Sequence, residues 1–489
     1  MAKKEINTTD SATQAVSNIN SNFGELYDAV APAESGGYGS SKFVGEPISS
    51  VSTPARMVVD MNTVRMISDL RKNQINVSEH YGHEPQMVIH GGKAYIVYRY
   101  HEKGGGEDNS STLGDEGRPK VRMTIVTLGD APTVEYKMVC TKGDTYTLNG
   151  DTVTVVDATA PNLVLLDTNN DNTIDTLRIV FSSDPNRMLL YRDYNISTGT
   201  FGNIGVCGIK KDSPYFIPAS LANFKSEIEN AGGTIQVHGQ YAFIEDKYYI
   251  AIGNGISGKN GNIFTTQDFI NFTWFAKPSI PAISENLGFM SEMAIYPWIN
   301  SATSECCLYL AIRRGESATD LIVARMHIGR GYYQNRFFDS TPDAEHPNRH
   351  TPGEIAGYKL VPCRSSRPCF IAPAAKNDFL QTKGFENIYL VYDNVSQDYP
   401  IRSYTDVCFF KTNSMTDGNT RKVAQCLRLT YPAIVYNGGE YYVAYQGSGV
   451  DSQNNSQPHI YLSKFSPFSA TFDKVVSVYN KLFDMFEPE

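Results

Sequence analysis

From Glu84 onward the chain alternates apolar and polar positions in short runs, and each run stops at a cluster rich in Gly, Asn or Asp. A period of two puts alternate side chains on one face, so the runs predict half-buried strands and the breaks predict turns. The clearest unit is "PQMVIHGGKAYIVY" from Pro85, and its counterpart is "PAIVYNGGEYYVAY" from Pro432. Aligned on proline, the two share Val88/Val435, Gly91/Gly438, Gly92/Gly439, Tyr95/Tyr442 and Tyr98/Tyr445. An ungapped match of this kind marks an internal repeat. Further units open at Ala160 ("APNLVLLDTNNDNTIDTLRIVFSS"), Gln240 ("QYAFIEDKYYIAIGNG"), Glu292 ("EMAIYPWINSATSECCLYLAIRR") and Arg367 ("RPCFIAPAAKNDFLQTKGFENIYLVYDN"), and a third strand candidate such as "RMTIVTLG" or "HIYLSKFS" follows each.

These units start roughly 52 to 80 residues apart, close to a four-stranded propeller blade with loop insertions. The expected fold is therefore mainly β, a six-bladed β-propeller over residues 60–489 preceded by a short N-terminal helical segment. Radial closure removes most of the exposed strand edge that such a chain would otherwise present. Helical insertions are expected at "NTVRMISDLRKN" and at "LANFKSEIENAGG" from Leu221.

Residues 1–31 follow a different period. Thr9, Ala12, Val16, Ile19, Phe23, Leu26 and Val30 alternate three and four apart, which places one apolar seam on a helix. Three heptads are marginal alone in water, so the seam predicts self-association into a homo-oligomer such as a trimer, against a single amphipathic helix lying on its own domain. Residues 32–59, "PAESGGYGSSKFVGEPISSVSTPARMVV", read as a Gly/Ser/Pro tether.

Composition narrows the class. Of 489 residues, 41% are hydrophobic and 19% charged, enough apolar material for a large core. Thirty Tyr and 24 Phe favour pleated surfaces. A net charge of -9 with no long basic run gives no footprint for nucleic acid, and no stretch is apolar enough for insertion into a membrane. The opening "MAKKEINTTDSATQ" lacks the apolar region of a secretory signal, so synthesis in the cytosol is expected. Eight cysteines without C-x-x-C spacing read as buried thiols.

The loop Asp167 to Asp175, "DTNNDNTID", sets Asp167, Asn169, Asp171, Thr173 and Asp175 at alternate positions. Hard cations take several oxygens from one tight loop, so structural Ca2+ is the candidate cofactor, against a polar hairpin turn without metal. The loop resembles the calcium loops of integrin-type propellers, with Asn172 standing where glycine is usual. "FTTQDFINFTW", Phe264 to Trp274, resembles the Asp-box of sialidases in Thr266, Asp268, Thr273 and Trp274, with one extra residue and Phe272 after Asn271. Such a box is a structural hairpin turn.

The residues that open the later units resemble those lining the sialidase funnel. That likeness implies Tyr431 as nucleophile, Glu292 as its base, and Arg313, Arg314 and Arg367 as candidate ligand-binding cations, since guanidinium forks suit carboxylates. The first unit departs from it: "GHEPQMV" puts Glu84 where an arginine clamp is expected, which repels a carboxylate. Glu84 with Glu292 then makes a carboxylate pair suited to hydrolysis of a neutral sugar, or both simply pair with Arg367 as structural ions. His80, His83, His90 and His101 lack metal-binding spacing and are expected at the surface or in loops.

"ATQAVSNINSNFGELYDAV" is similar to the opening segments of tailed-bacteriophage tail and fibre proteins. This resemblance implies a virion appendage with other virion proteins and host cell-surface polysaccharide as partners. The leading expectation is a non-enzymatic, glycan-binding virion component; the alternative is a glycan-cleaving depolymerase or sialidase-like glycoside hydrolase.

Overall fold

A computed structural model of the 489-residue chain describes residues 68–69, 74–102, 114–209 (apart from 149 and 185–187), most of 235–299, 306–313, 320–333, 336–339, 351–362, 367–371, 387–395, 403–411, 420–421, 424–425, 430–450 (apart from 439) and 456–465. The architecture is mainly β. The first sheet is an antiparallel meander of β1 (Tyr81–His90), β2 (Lys93–His101), β3 (Lys120–Thr127) and β4 (Thr133–Cys140). In the second, β5 (Asp157–Leu166), β6 (Thr176–Asp184), β7 (Met188–Asn195) and β8 (Thr200–Val206) repeat the meander. A hairpin, Thr145–Leu148 with Asp151–Thr154, extends it to six strands.

The third sheet is built on β9 (Lys247–Asn254), β10 (Asn262–Thr266) and β11 (Asn271–Ala276), with Gly208–Ile209, Ile235–Gln236 and Ala242–Ile244 added at its edges. Next come β12 (Phe289–Ile299), β13 (Cys306–Arg313), β14 (Asp320–His327) and β15 (Ile355–Pro362). They are followed by β16 (Cys369–Ile371), β17 (Asn387–Val395) and β18 (Ser403–Lys411) with Thr420–Arg421. Finally β19 (Thr430–Asn437), β20 (Glu440–Val450) and β21 (Ser456–Phe465) take Ile75–Asn76 as their outer strand. That strand belongs to the chain just before β1, so the last sheet is completed by residues from the start of the described domain. This ties the ring shut.

The repeated hairpins take the same register. Val88 faces Tyr95 across β1 and β2, and Val435 faces Tyr442 across β19 and β20. Their turns need glycine: Gly91, Gly92 and Gly438 all have positive φ, between 57° and 73°, a region costly for residues with a Cβ. Because the two hairpins pack side by side where the ring closes, Met87, Ala94, Ile96 and Tyr98 share a core with Ala433, Tyr442, Ala444 and Ile460.

Two expectations are corrected. The strands do not divide into six like four-stranded blades: the sheets hold between two and six strands, and among the described residues the packed cores between neighbouring sheets number five. The extra strands are short edge pieces, and one of them pairs in parallel with β11, outside a simple meander. No α-helix occurs among the described residues, where one 3₁₀ turn covers Gly114–Gly117. Ser68–Asp69, inside the first expected helical insertion, instead pairs as a strand with Ala424–Gln425. The N-terminal seam at 1–31, the tether at 32–59 and the insertion from Leu221 lie outside the described residues.

Four of the cysteines, Cys140, Cys207, Cys307 and Cys369, are buried thiols that form no disulfide.

Candidate functional site

The inner ends of the first strands share an irregular backbone step. Pairing shifts between His83 and Gln86 in β1, between Thr430 and Ala433 in β19, between Phe289 and Ala294 in β12, and opposite Val180 to Ser182 in β5. Such a bulge interrupts the ladder and re-aims one side chain. At three of these steps the re-aimed residue has positive φ and stands before a proline: Glu84 (57°), Ala160 (50°) and Tyr431 (54°). Proline has no N–H to lose from the interrupted ladder, which explains its place there. A left-handed residue with a Cβ costs about 1 to 2 kcal/mol, so the surrounding packing must hold it.

Arg367, which also precedes a proline, sits at the centre of the resulting cluster with 1% of its surface exposed. Its Nη2 donates to the backbone carbonyl of Pro85 and, at 3.2 Å, to that of Tyr431, and its guanidinium lies 5.7 Å from the Tyr431 ring. One side chain thereby joins the start of the ring to its end. Burial pulls the Arg367 pKa down from its usual value, and the charges of Glu84 and Glu292 oppose that. Glu292 is buried and accepts a hydrogen bond from Nη1 of Arg313. Glu84, 4% exposed, is 3.7 Å from Arg99 through Oε1, and its N–H reaches Gln446 Oε1 at 3.4 Å. Thus Glu84, Glu292, Arg313, Arg367 and Tyr431 gather in one place. Arg314 lies outside the described residues.

Sequence reasoning missed a second layer. His83 and His101 are buried, not at the surface, with ring centroids 5.6 Å apart. Burial, then the charge of Arg99, lowers both pKa values, that of His101 to about 4. The available signal was position: His83 adjoins Glu84, already a candidate, and His101 ends the strand paired with it.

The aspartate-rich loop is held by its own amides. Asp167 accepts from the N–H groups of Asp171 (3.2 Å) and Asn172 (2.7 Å), Asp171 from Thr173 (2.8 Å), and Asp175 from the Thr168 hydroxyl (2.9 Å). Asn172 takes the left-handed conformation, φ 65°, in place of glycine. Among the described residues no group of three or more His, Cys, Asp or Glu side chains is placed to hold a metal ion.

The segment likened to an Asp-box is a tight turn between β10 and β11. Asp268 Oδ1 accepts from the N–H groups of Ile270 (2.9 Å) and Asn271 (2.8 Å), while Thr266 Oγ1 accepts from Phe269 N–H (2.9 Å). Phe269 has φ 55° and is fully buried, and Trp274 Nε1 donates to Asn262. Its role is structural.

No family model and no curated protein matches this chain. Among solved structures, it is similar to a protein of unknown function from Dyadobacter fermentans (8% identity, TM-score 0.49, 80% of this chain and 97% of that one). It is similar also to a glycosyl hydrolase from Bacteroides ovatus (12%, TM-score 0.36, 82% and 90%). A third is a Trypanosoma rangeli sialidase mutant with trans-sialidase activity (10%, TM-score 0.45, 86% and 58%). Likenesses this slight carry no weight for activity, so the functional argument rests on the side chains.

Proposed function

We propose that this chain is a glycan-acting propeller whose axial carboxylates, Glu84 and Glu292, hydrolyse a glycosidic bond in an uncharged polysaccharide. One observation carries the reading: two carboxylates from different sheets, both buried, act on the same buried guanidinium of Arg367. Glycoside hydrolysis needs two carboxyl groups in unlike surroundings, one to protonate the leaving oxygen and one to attack or activate water. Here the surroundings differ. Glu292 accepts from Arg313 and takes the role of nucleophile or base. Glu84, beside Arg99, supplies the second carboxyl group and keeps one oxygen without a hydrogen-bond partner. Tyr431 stacks beside Arg367 and would line the sugar-facing side. Glu84 also repels a substrate carboxylate, which disfavours sialic acid.

Reducing-end release from neutral polysaccharides, compared between the parent chain and Glu292→Gln, tests this. Release that the variant abolishes supports it, and no release by the parent from any polymer overturns it.

Burial of Glu84, Glu292 and Arg367 favours a second reading, in which the cluster is an ion network that locks the ring and the propeller binds glycan without cleaving it. The virion role belongs with that reading. It rests on residues 1–31, and its test is assembly: deletion of that segment converts an oligomer to a monomer, while an unchanged mass by light scattering refutes it.

A further inference from the structure

Three polar atoms next to the axial cluster lack a hydrogen-bond partner although each is shut away from solvent: Glu84 Oε2, His83 Nε2 and His101 Nε2. Orphaned buried polar atoms are rare and costly, so they point to a missing partner. The chemistry of that partner follows from two of them. His101 Nδ1 lies 2.9 Å from the carbonyl oxygen of Gly117, which can only accept. Nδ1 therefore carries the proton, and Nε2 of the neutral ring is a bare acceptor. The Glu84 carboxylate is likewise an acceptor only. Arg99, 3.7 Å from Glu84 Oε1, acts electrostatically on both histidines and ties the three groups into one cluster.

We propose that Glu84 and His101 form an acceptor subsite that takes hydroxyl groups of an uncharged sugar and rejects uronic and sialic acids. The inference rests on the glycan reading above and names its substrate class. Sugar hydroxyls donate to acceptors of this kind, whereas a sugar carboxylate adds a third acceptor and a like charge beside Glu84. An ammonium group is the other donor, but the Arg99 guanidinium opposes a second cation. Sites built to pair a hydroxyl discriminate strongly, because the analogue without it leaves the site's own groups unmade. The left-handed backbone at Glu84 shows that the fold holds this carboxylate in place against local preference. Acidification toward pH 4 protonates His101, turning its acceptor into a donor, so binding should weaken there.

The test is affinity electrophoresis of the full chain through gels containing dextran, mannan or arabinogalactan as neutral polymers, glycol chitosan as the amino polymer, and polygalacturonate as the acidic one. At least one neutral polymer should retard the parent, polygalacturonate should not, and both Glu84→Gln and His101→Gln should weaken retardation at least tenfold. Melting curves confirm that each variant is folded; should Glu84→Gln fail to fold, His101→Gln alone carries the comparison. Stronger retardation by polygalacturonate or glycol chitosan, no retardation by any polymer, or unchanged retardation of the folded variants overturns the subsite. So does a crystal structure in saturating neutral oligosaccharide that shows an enclosed water only at Glu84 and His101. Retardation without reducing-end release keeps the subsite and removes the hydrolase; release from acidic and neutral polymers alike does the reverse.

Discussion

Arg367 donates a hydrogen bond to the carbonyl of Pro85, a residue 282 positions earlier in the chain. The same Nη2 reaches the carbonyl of Tyr431, so one buried guanidinium links the hairpins that open and close the ring. Replacement by methionine keeps the bulk but leaves two carbonyls without their donor and Glu84 and Glu292 without a shared counter-charge. The expected cost is about 3 kcal/mol in urea unfolding. A loss below about 1 kcal/mol would show that the ring closes without it.

Asp268 ties the β10 to β11 turn through hydrogen bonds from Ile270 and Asn271. Asp268→Ala should destabilise the chain by about 1 to 2 kcal/mol, read as a fall in the urea midpoint. Burial alone would raise its pKa, but the donors at Asn271 and Ile270 hold it below the ordinary 3.8. The stability it adds is thus complete above pH 3.8 and disappears as pH falls through its folded value, a dependence that Asp268→Asn should remove.

His83 and His101 set a second pH dependence, at milder acidity. Their folded pKa values lie below the ordinary 6.5, that of His101 near 4, so the unfolded chain binds more protons in that interval. Stability is therefore full above pH 6.5 and falls toward pH 4, by up to about 1.4 kcal/mol per pH unit for each ring. Denaturation at pH 7 and pH 5 should show the fall, and His101→Gln should reduce it. A flat profile would contradict the neutral, buried assignment.

The loop from Asp167 to Asp175 keeps its shape through its own amide and hydroxyl donors. A melting temperature unmoved by calcium or chelator would make it a polar turn without metal. A reproducible rise on adding millimolar calcium, lost in Asp171→Asn, would instead establish a cation among these oxygens.

Much of this was legible before any coordinates. The paired hairpins were visible because proline, glycine and tyrosine recur at fixed offsets, and Val88 and Val435 do face Tyr95 and Tyr442. Glu84, Glu292, Arg367 and Tyr431 were picked out because each precedes an apolar run, and bulges at the Glu84, Glu292 and Tyr431 steps gather them around Arg367. The histidines were not legible. Between Gly82 and Met87 every residue of β1 is buried, so the two-residue period fails where the inner end of the strand is covered on both faces. The sheet count escaped for a related reason: edge strands such as Gly208–Ile209 and Ile235–Gln236 are two residues long, too short to carry a period.

The central claim is that Glu84 and Glu292 act as a chemical pair, and kinetics on one neutral polysaccharide tests it most directly. With reducing ends counted over time, Glu84→Gln and Glu292→Gln should each lower kcat by about a thousandfold while the folded fraction stays constant, and the double variant should fall little further. Two folded single variants that retain the parent's rate would contradict the account.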